Sequence, residues 1–203
     1  MSGAAGGGRP ATAKGAARRE AIVTAAAALL GADGPDAVSH RSVAAAARVP
    51  LAATTYYFGS LDDLLVAAVE RAADEELGAV AELVAALPRR RRSTERAAEL
   101  VVGIVLGPRR SDAELQAHYE RFLASGRHPA LRPVLRRSRA RVDALLTEAL
   151  DRCGHGGADI GHLVAVLDGT AISALVEGDG SARARALAAV RDALERSGSG
   201  GDV

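Results

Sequence analysis

Thr54-Thr55-Tyr56-Tyr57 sets four hydroxyl side chains in a row, with two arginines, Arg41 and Arg48, a short way upstream. Without a base to activate them, hydroxyls and guanidinium groups perform no reaction. They are good at hydrogen bonding to phosphate oxygens and base edges. A threonine can bond several base edges and pack its methyl against that of thymine. A tyrosine can rest its ring on protein while its hydroxyl donates to a phosphate. Ser39-His40-Arg41 adds a capping residue and a cation. Pro50, Leu51, Ala52 and Ala53 lead into the hydroxyl run; being small or apolar, they let the backbone approach a partner but donate nothing from their side chains. The chain has five aromatic residues in 203, and Tyr56, Tyr57 and Phe58 are consecutive. Phe58 is expected to face inward and anchor the segment.

Other reactive residue types are present without a matching pattern. Cys153, His155 and His162 follow no zinc spacing, and the glycines around His155 suggest an ordinary turn. Serine, histidine and aspartate occur without a nucleophile elbow or a phosphate loop, so no catalytic signature is present and no cofactor is implied. Arg89 to Arg92 is a basic run far from the hydroxyl cluster and is expected to be a solvated joint. Asp168, inside the apolar run "LVAVLDGTAISALV", is the most conspicuous single polar residue. His118 and Phe122 share a helical face.

These groups need elements to position them. Hydrophobic residues make up 48% of the chain, mostly Ala, Val and Leu, which favours packed helices over a sheet. A single cysteine excludes an internal disulfide and suits a reducing compartment. No apolar run is expected to be long enough to span a membrane, and the first residues lack the apolar centre of a secretory signal. Net charge is +1, but residues 1–60 carry six basic and three acidic groups, while residues 61–87 carry seven acids against Arg71. That asymmetry points to an anionic partner for the front of the chain.

Helical spacing over residues 16–31 would bury Ile22, Ala25, Ala26 and Leu29. Gly31 and "DGPD" stop that helix. Ser39 caps a second, short helix, with Val38 and Val43 at the staple positions; it ends by about Arg48, because Pro50 disfavours helical geometry at Val49. Pro50 opens a third short helix, which breaks at Gly59. Ser60, with Asp63, caps a long fourth helix that runs to Pro88. Further helices are expected at about 94–106, 111–125, 130–152, 159–177 and 181–196. Two short helices joined by a tight turn are the spacing of a helix-turn-helix, whose second helix enters the major groove.

The run "SHRSVAAAARVPLAATTYYFGSLDDLLVAAV" resembles the DNA-binding segment of TetR-family transcriptional regulators, with Val49, Phe58, Ser60, Leu64 and Leu65 in register. The likeness extends over about residues 16–70. Arg48 stands where the family usually has a turn glycine, Thr54 replaces the usual Leu, Thr55 the usual Tyr, and Tyr57 the usual His. Leu61 replaces a Lys that often contacts phosphate. Phosphate contacts should therefore lean on Tyr56, Tyr57 and the arginines.

The resemblance implies an all-α protein, with an N-terminal three-helix helix-turn-helix domain and a C-terminal helical ligand-binding and dimerisation domain. The expected divisions are a disordered arm over 1–13, the DNA-binding domain over 14–60, a connecting helix over 61–88, the effector domain over 89–196 and a disordered tail over 197–203. It implies a cytoplasmic, non-enzymatic repressor that acts as a homodimer on a pseudo-palindromic operator in double-stranded DNA and is released by a small molecule. The DNA-contacting set is Ser39, His40, Arg41, Arg48, Pro50, Leu51, Ala52, Ala53, Thr54, Thr55, Tyr56 and Tyr57. Candidate effector residues are Val101, Val105, His118, Phe122, Leu167 and Asp168, with the ligand's polar head near His118 or Asp168. The domain has little aromatic surface, so an aliphatic or small polar-headed effector is expected rather than a flat dye. Leu175 and Leu194, on the last two helices, are the candidate dimer contacts. The rival classes are a helical-bundle enzyme, which lacks a catalytic constellation, and a helical interaction protein that no longer reads DNA.

Overall fold

The structure, a computed structural model, describes residues 13–199, and the described residues are helical with no strand among them. They fall into two compact units divided between Ala72 and Ala73. The expected arm lies almost wholly outside the described residues; the expected tail does so only in part, since the last helix continues to Ser199.

The first unit begins with α1 (Ala13–Asp33), which buries Ile22, Val23, Ala26 and Leu30. Ala25 and Leu29 are only half-buried, so the inward face is rotated slightly from the expected one. Gly34 ends the helix at φ 82°, its N–H donating to the Leu30 carbonyl at 3.0 Å, and a short 3-10 turn (Pro35–Ala37) follows. α2 (His40–Ala46) is capped by Ser39: the Ser39 hydroxyl accepts from the Ser42 N–H, and the Ser42 hydroxyl accepts from the Ser39 N–H. Val38 and Val43 are both buried and close the staple. α3 (Leu51–Tyr57) follows, with Pro50 as its N-cap. α4 (Leu61–Ala85) starts with the expected Ser60–Asp63 capping box, at 3.0 and 3.1 Å.

The unit boundary falls inside α4, not at its ends as the sequence suggested. Leu64, Leu65, Ala68 and Val69 are buried apolar residues of the first unit, so the first turns of α4 are part of that unit's core.

The second unit contains the rest of α4, α5 (Thr94–Leu106), α6 (Asp112–Gly126), α7 (Arg132–Arg152, after a 3-10 turn at Pro129–Leu131), α8 (Ile160–Glu177) and α9 (Ala182–Ser199). Ser93, Ser111 and Asp159 cap α5, α6 and α8. Its core is built from all five later helices and is rich in alanine, including Ala171, Ala174, Ala182, Ala186 and Ala193. Small side chains let α8 and α9 approach closely after the turn at Gly178, which is left-handed at φ 69°.

The arginine run is held by its backbone. The Arg90 N–H donates to the Arg152 carbonyl at 3.0 Å and the Arg92 N–H to the Cys153 carbonyl at 2.9 Å. Arg152 in turn donates to the Leu87 carbonyl at 2.9 Å. The heads of Arg89, Arg90 and Arg91 remain exposed. One expectation fails here: α8 is long and apolar enough to cross a membrane by length and composition alone. Its Leu163, Val164, Leu167, Ala171 and Ala174 are core residues of this unit.

Candidate DNA interface and effector site

The turn between α2 and α3 is a Schellman motif. The Arg48 N–H donates to the Ala45 carbonyl at 3.2 Å and the Val49 N–H to the Ala44 carbonyl at 3.0 Å. Arg48 occupies the left-handed position at φ 54°, the one non-glycine residue with positive φ among the described residues. The backbone therefore demands what a glycine would give freely, and Arg48 holds its exposed guanidinium there at a cost of about 1 kcal/mol.

The two threonines separate. Thr54 is fully buried; its hydroxyl donates to the Leu51 carbonyl at 2.8 Å and lies 3.5 Å from the His40 carbonyl oxygen. It ties α3 to α2 and has no surface to offer a base, which removes it from the expected contact set. Thr55 is exposed, its hydroxyl donating to the Ala52 carbonyl at 3.3 Å.

Tyr56 is 81% exposed, and Tyr57, half-buried, meets it edge to face at 5.1 Å. Phe58 is buried as expected, under the Arg19 guanidinium at 5.1 Å from the ring centre. Arg41, Pro50, Leu51 and Ala52 are exposed, and Ser39, His40 and Ala53 half-buried. The Nδ1 of His40 is buried without a partner. The structure thus gathers Arg41, Arg48, Leu51, Ala52, Thr55 and Tyr56 as exposed residues of one helix-turn-helix, a combination suited to phosphate and base-edge contacts.

In the second unit the candidate effector residues divide into walls and polar groups. Val101 and Leu167 are buried in the core, and Val105 is half-buried against it. Phe122 is 54% exposed and lies outside that core, and its neighbour Leu123 is exposed as well. His118 is half-buried and its Nδ1 lies 3.2 Å from an Arg110 nitrogen, while the other end of that guanidinium donates to Glu76 at 2.6 Å. Burial, then the nearby Arg110 charge, holds His118 below the usual histidine range, so it is neutral and its Nδ1 accepts.

The Tyr119 hydroxyl donates to Asp168 Oδ1 at 2.9 Å. Burial pushes the Asp168 carboxyl up, and the Tyr119 bond only partly opposes this. Burial and the Asp168 charge push the Tyr119 phenol well above its usual range, so it remains a donor. Sequence reasoning named His118 and Asp168 but missed Arg110 and Glu76, because neither follows a local pattern: Arg110 sits in the α5–α6 loop and Glu76 on α4.

Leu194 is 3% exposed and turned into its own core, which corrects its expected role as a dimer contact; Leu175 is half-buried against the same core. The large apolar residues of α8 that are exposed are Ile172 and Val176. No group of three or more His, Cys, Asp or Glu residues that could hold a metal ion occurs among the described residues.

The family model for bacterial regulatory proteins of the tetR family matches residues 22–68, and that for the tetracyclin repressor-like C-terminal domain matches residues 92–196. Among solved structures, the multidrug binding protein EbrR complexed with proflavin is 35% identical, covering 88% of this chain and 98% of its own, with a TM-score of 0.65. EbrR is also known in complexes with ethidium and malachite green. A TetR-family member of Streptomyces coelicolor A3 is 36% identical, covering 88% of this chain and 96% of its own, with a TM-score of 0.58. No curated protein sequence matches the chain.

Proposed function

From a chain that belongs to the TetR family of transcriptional regulators, we propose a repressor that holds a pseudo-palindromic operator as a homodimer in the cytoplasm and is released by a small molecule. The family is non-enzymatic, and its members bind DNA and small-molecule effectors and act as dimers.

The observation that supports DNA reading most directly is the strained Arg48 beside an α3 that exposes Thr55 and Tyr56. In this reading Arg41, Arg48 and Tyr56 hold phosphates, and Thr55 faces base edges. The effector occupies the second unit. The complexes of the EbrR relative with proflavin, ethidium and malachite green support aromatic as well as aliphatic effectors.

Gel shifts against the DNA upstream of the protein's own coding region test the reading. Wild type should bind with nanomolar affinity in the presence of non-specific competitor. Tyr56→Phe and Arg41→Ala should weaken binding to every sequence, whereas Thr55→Ala should change which sequence is preferred. An equal loss on all operator variants for Thr55→Ala, or no loss for the other two, would return these residues to a structural role.

A further inference from the structure

We infer that Asp168, with the Tyr119 hydroxyl beside it, is the counter-ion of a binding site for a lipophilic organic cation. The inference rests on the effector-responsive reading above and gives its effector a chemical class.

Asp168 interrupts the most apolar helix of the protein, and it is half-buried. A carboxylate taken partly out of water is costly unless a cation or several donors compensate it. Here the bonded partner is one neutral phenol, on Oδ1 alone. The cation near enough to be felt is Arg139 of α7, and its guanidinium is already engaged with Asp143 at 2.6 Å. His118, against the Tyr119 ring at 5.7 Å, is neutral and turned to Arg110. An asparagine would accept the same Tyr119 bond with no charge to bury, so the hydrogen bond alone does not explain an aspartate. A negative charge with so little compensation is what a cationic guest would use.

The surroundings select the guest. Phe122 and Leu123 lie one turn beyond Tyr119 on α6 and are 54% and 61% exposed. Ile172 lies one turn beyond Asp168 on α8 and is also exposed. Residues one turn apart share a helix face, so exposed apolar side chains neighbour the charged pair from both helices. An aromatic ring face attracts a cation as well as apolar surface. A bare metal ion would need more oxygen ligands than one carboxylate and one phenol supply. A cation with an apolar body satisfies both the charge and the flanking side chains.

The test uses two probes of the same shape and opposite charge, tetraphenylphosphonium and tetraphenylborate, titrated calorimetrically into the full-length protein. Wild type should bind the phosphonium and discriminate against the borate by at least tenfold. Asp168→Asn keeps the acceptor for Tyr119 and removes the charge; it should lose at least tenfold in phosphonium affinity. Asp168→Glu should retain most of it. Circular dichroism of each variant identifies one that fails to fold, and in that case Tyr119→Phe, which keeps the carboxylate and should still prefer the phosphonium over the borate, decides the matter. Equal binding of the two probes by wild type, no phosphonium binding at all, or undiminished binding by Asp168→Asn would overturn the inference. None of these results bears on operator binding: a protein that shifts operator DNA but ignores charge at residue 168 keeps the repressor reading and loses only this one.

Discussion

At the scale of single residues, the sequence shows which chemistry is available but not which way it faces. Thr54 and Thr55 are identical in type and adjacent in the chain. Successive residues on a helix point about 100° apart, so one is fully buried against α2 and the other is exposed. Nothing local decides which, because the outcome depends on where α2 lies. Arg48 is the opposite case. Its place before Val49-Pro50 marked a turn in which glycine is usual, and the left-handed φ is present. Arg48→Gly should relieve about 1 kcal/mol of backbone strain and return part of it through a freer unfolded chain. Urea denaturation should therefore show a gain of less than about 1 kcal/mol. If the guanidinium holds a phosphate, operator affinity should fall in the same variant and its salt dependence should flatten by a slope of about one. A stabilised protein with unchanged DNA affinity would mean that Arg48 does not touch the backbone of DNA.

At the scale of elements, caps and stops were the legible part. Ser39, Ser60 and the glycine breaks set helix ends close to where they occur, because each satisfies orphaned backbone groups by local geometry. Helix faces were harder to read: in α1 a run of alanines gives little apolar contrast, and the buried face includes Val23 and Leu30 where Ala25 and Leu29 were expected. Links between elements were not legible at all. Glu76 on α4, Arg110 in the loop and His118 on α6 form one chain of contacts, and the neighbouring Tyr119 continues it to Asp168 on α8. That chain joins the proposed effector site to the part of α4 that belongs to the second unit. Arg110→Ala should leave effector binding within a few-fold of wild type in calorimetry and blunt effector-driven release of DNA in the gel shift. Acid should act on the same link. His118 has a depressed pKa, so in the range just below the usual histidine value the unfolded chain binds the proton first. The contribution of neutral His118 is then present above that value and lost as pH falls through it. His118→Gln should remove that part of the acid sensitivity in a pH series of thermal melts; an unchanged profile would show that the contact carries no such weight.

At the scale of the whole molecule, composition gave the class: alanine and leucine without tryptophan, and a basic front ahead of an acidic helix, read as an all-helical protein with one anion-facing end. It could not give the assembly surface, since an apolar residue near the chain's end is as suited to a core as to a partner. Leu194 went to the core. The surface left on α8 away from Asp168 carries Ala165, Gly169, Ser173 and Val176, with Val176 83% exposed. Small residues beside an exposed branched one let a second helix approach closely, and a seven-residue α3 meets too few base pairs to specify an operator alone. Two copies joined through this face of α8 would present two such helices, with half-sites about 34–36 Å apart or a multiple of that. Val176→Glu alters a side chain that its own chain scarcely touches, so the melting temperature of the isolated protomer should hold. Sedimentation should show a monomer, and operator affinity should drop by at least tenfold. Leu194→Glu should instead unfold the second unit, since it would bury a charge without a partner. A Val176→Glu protein that stays dimeric and binds its operator at full strength would move the interface off this face of α8.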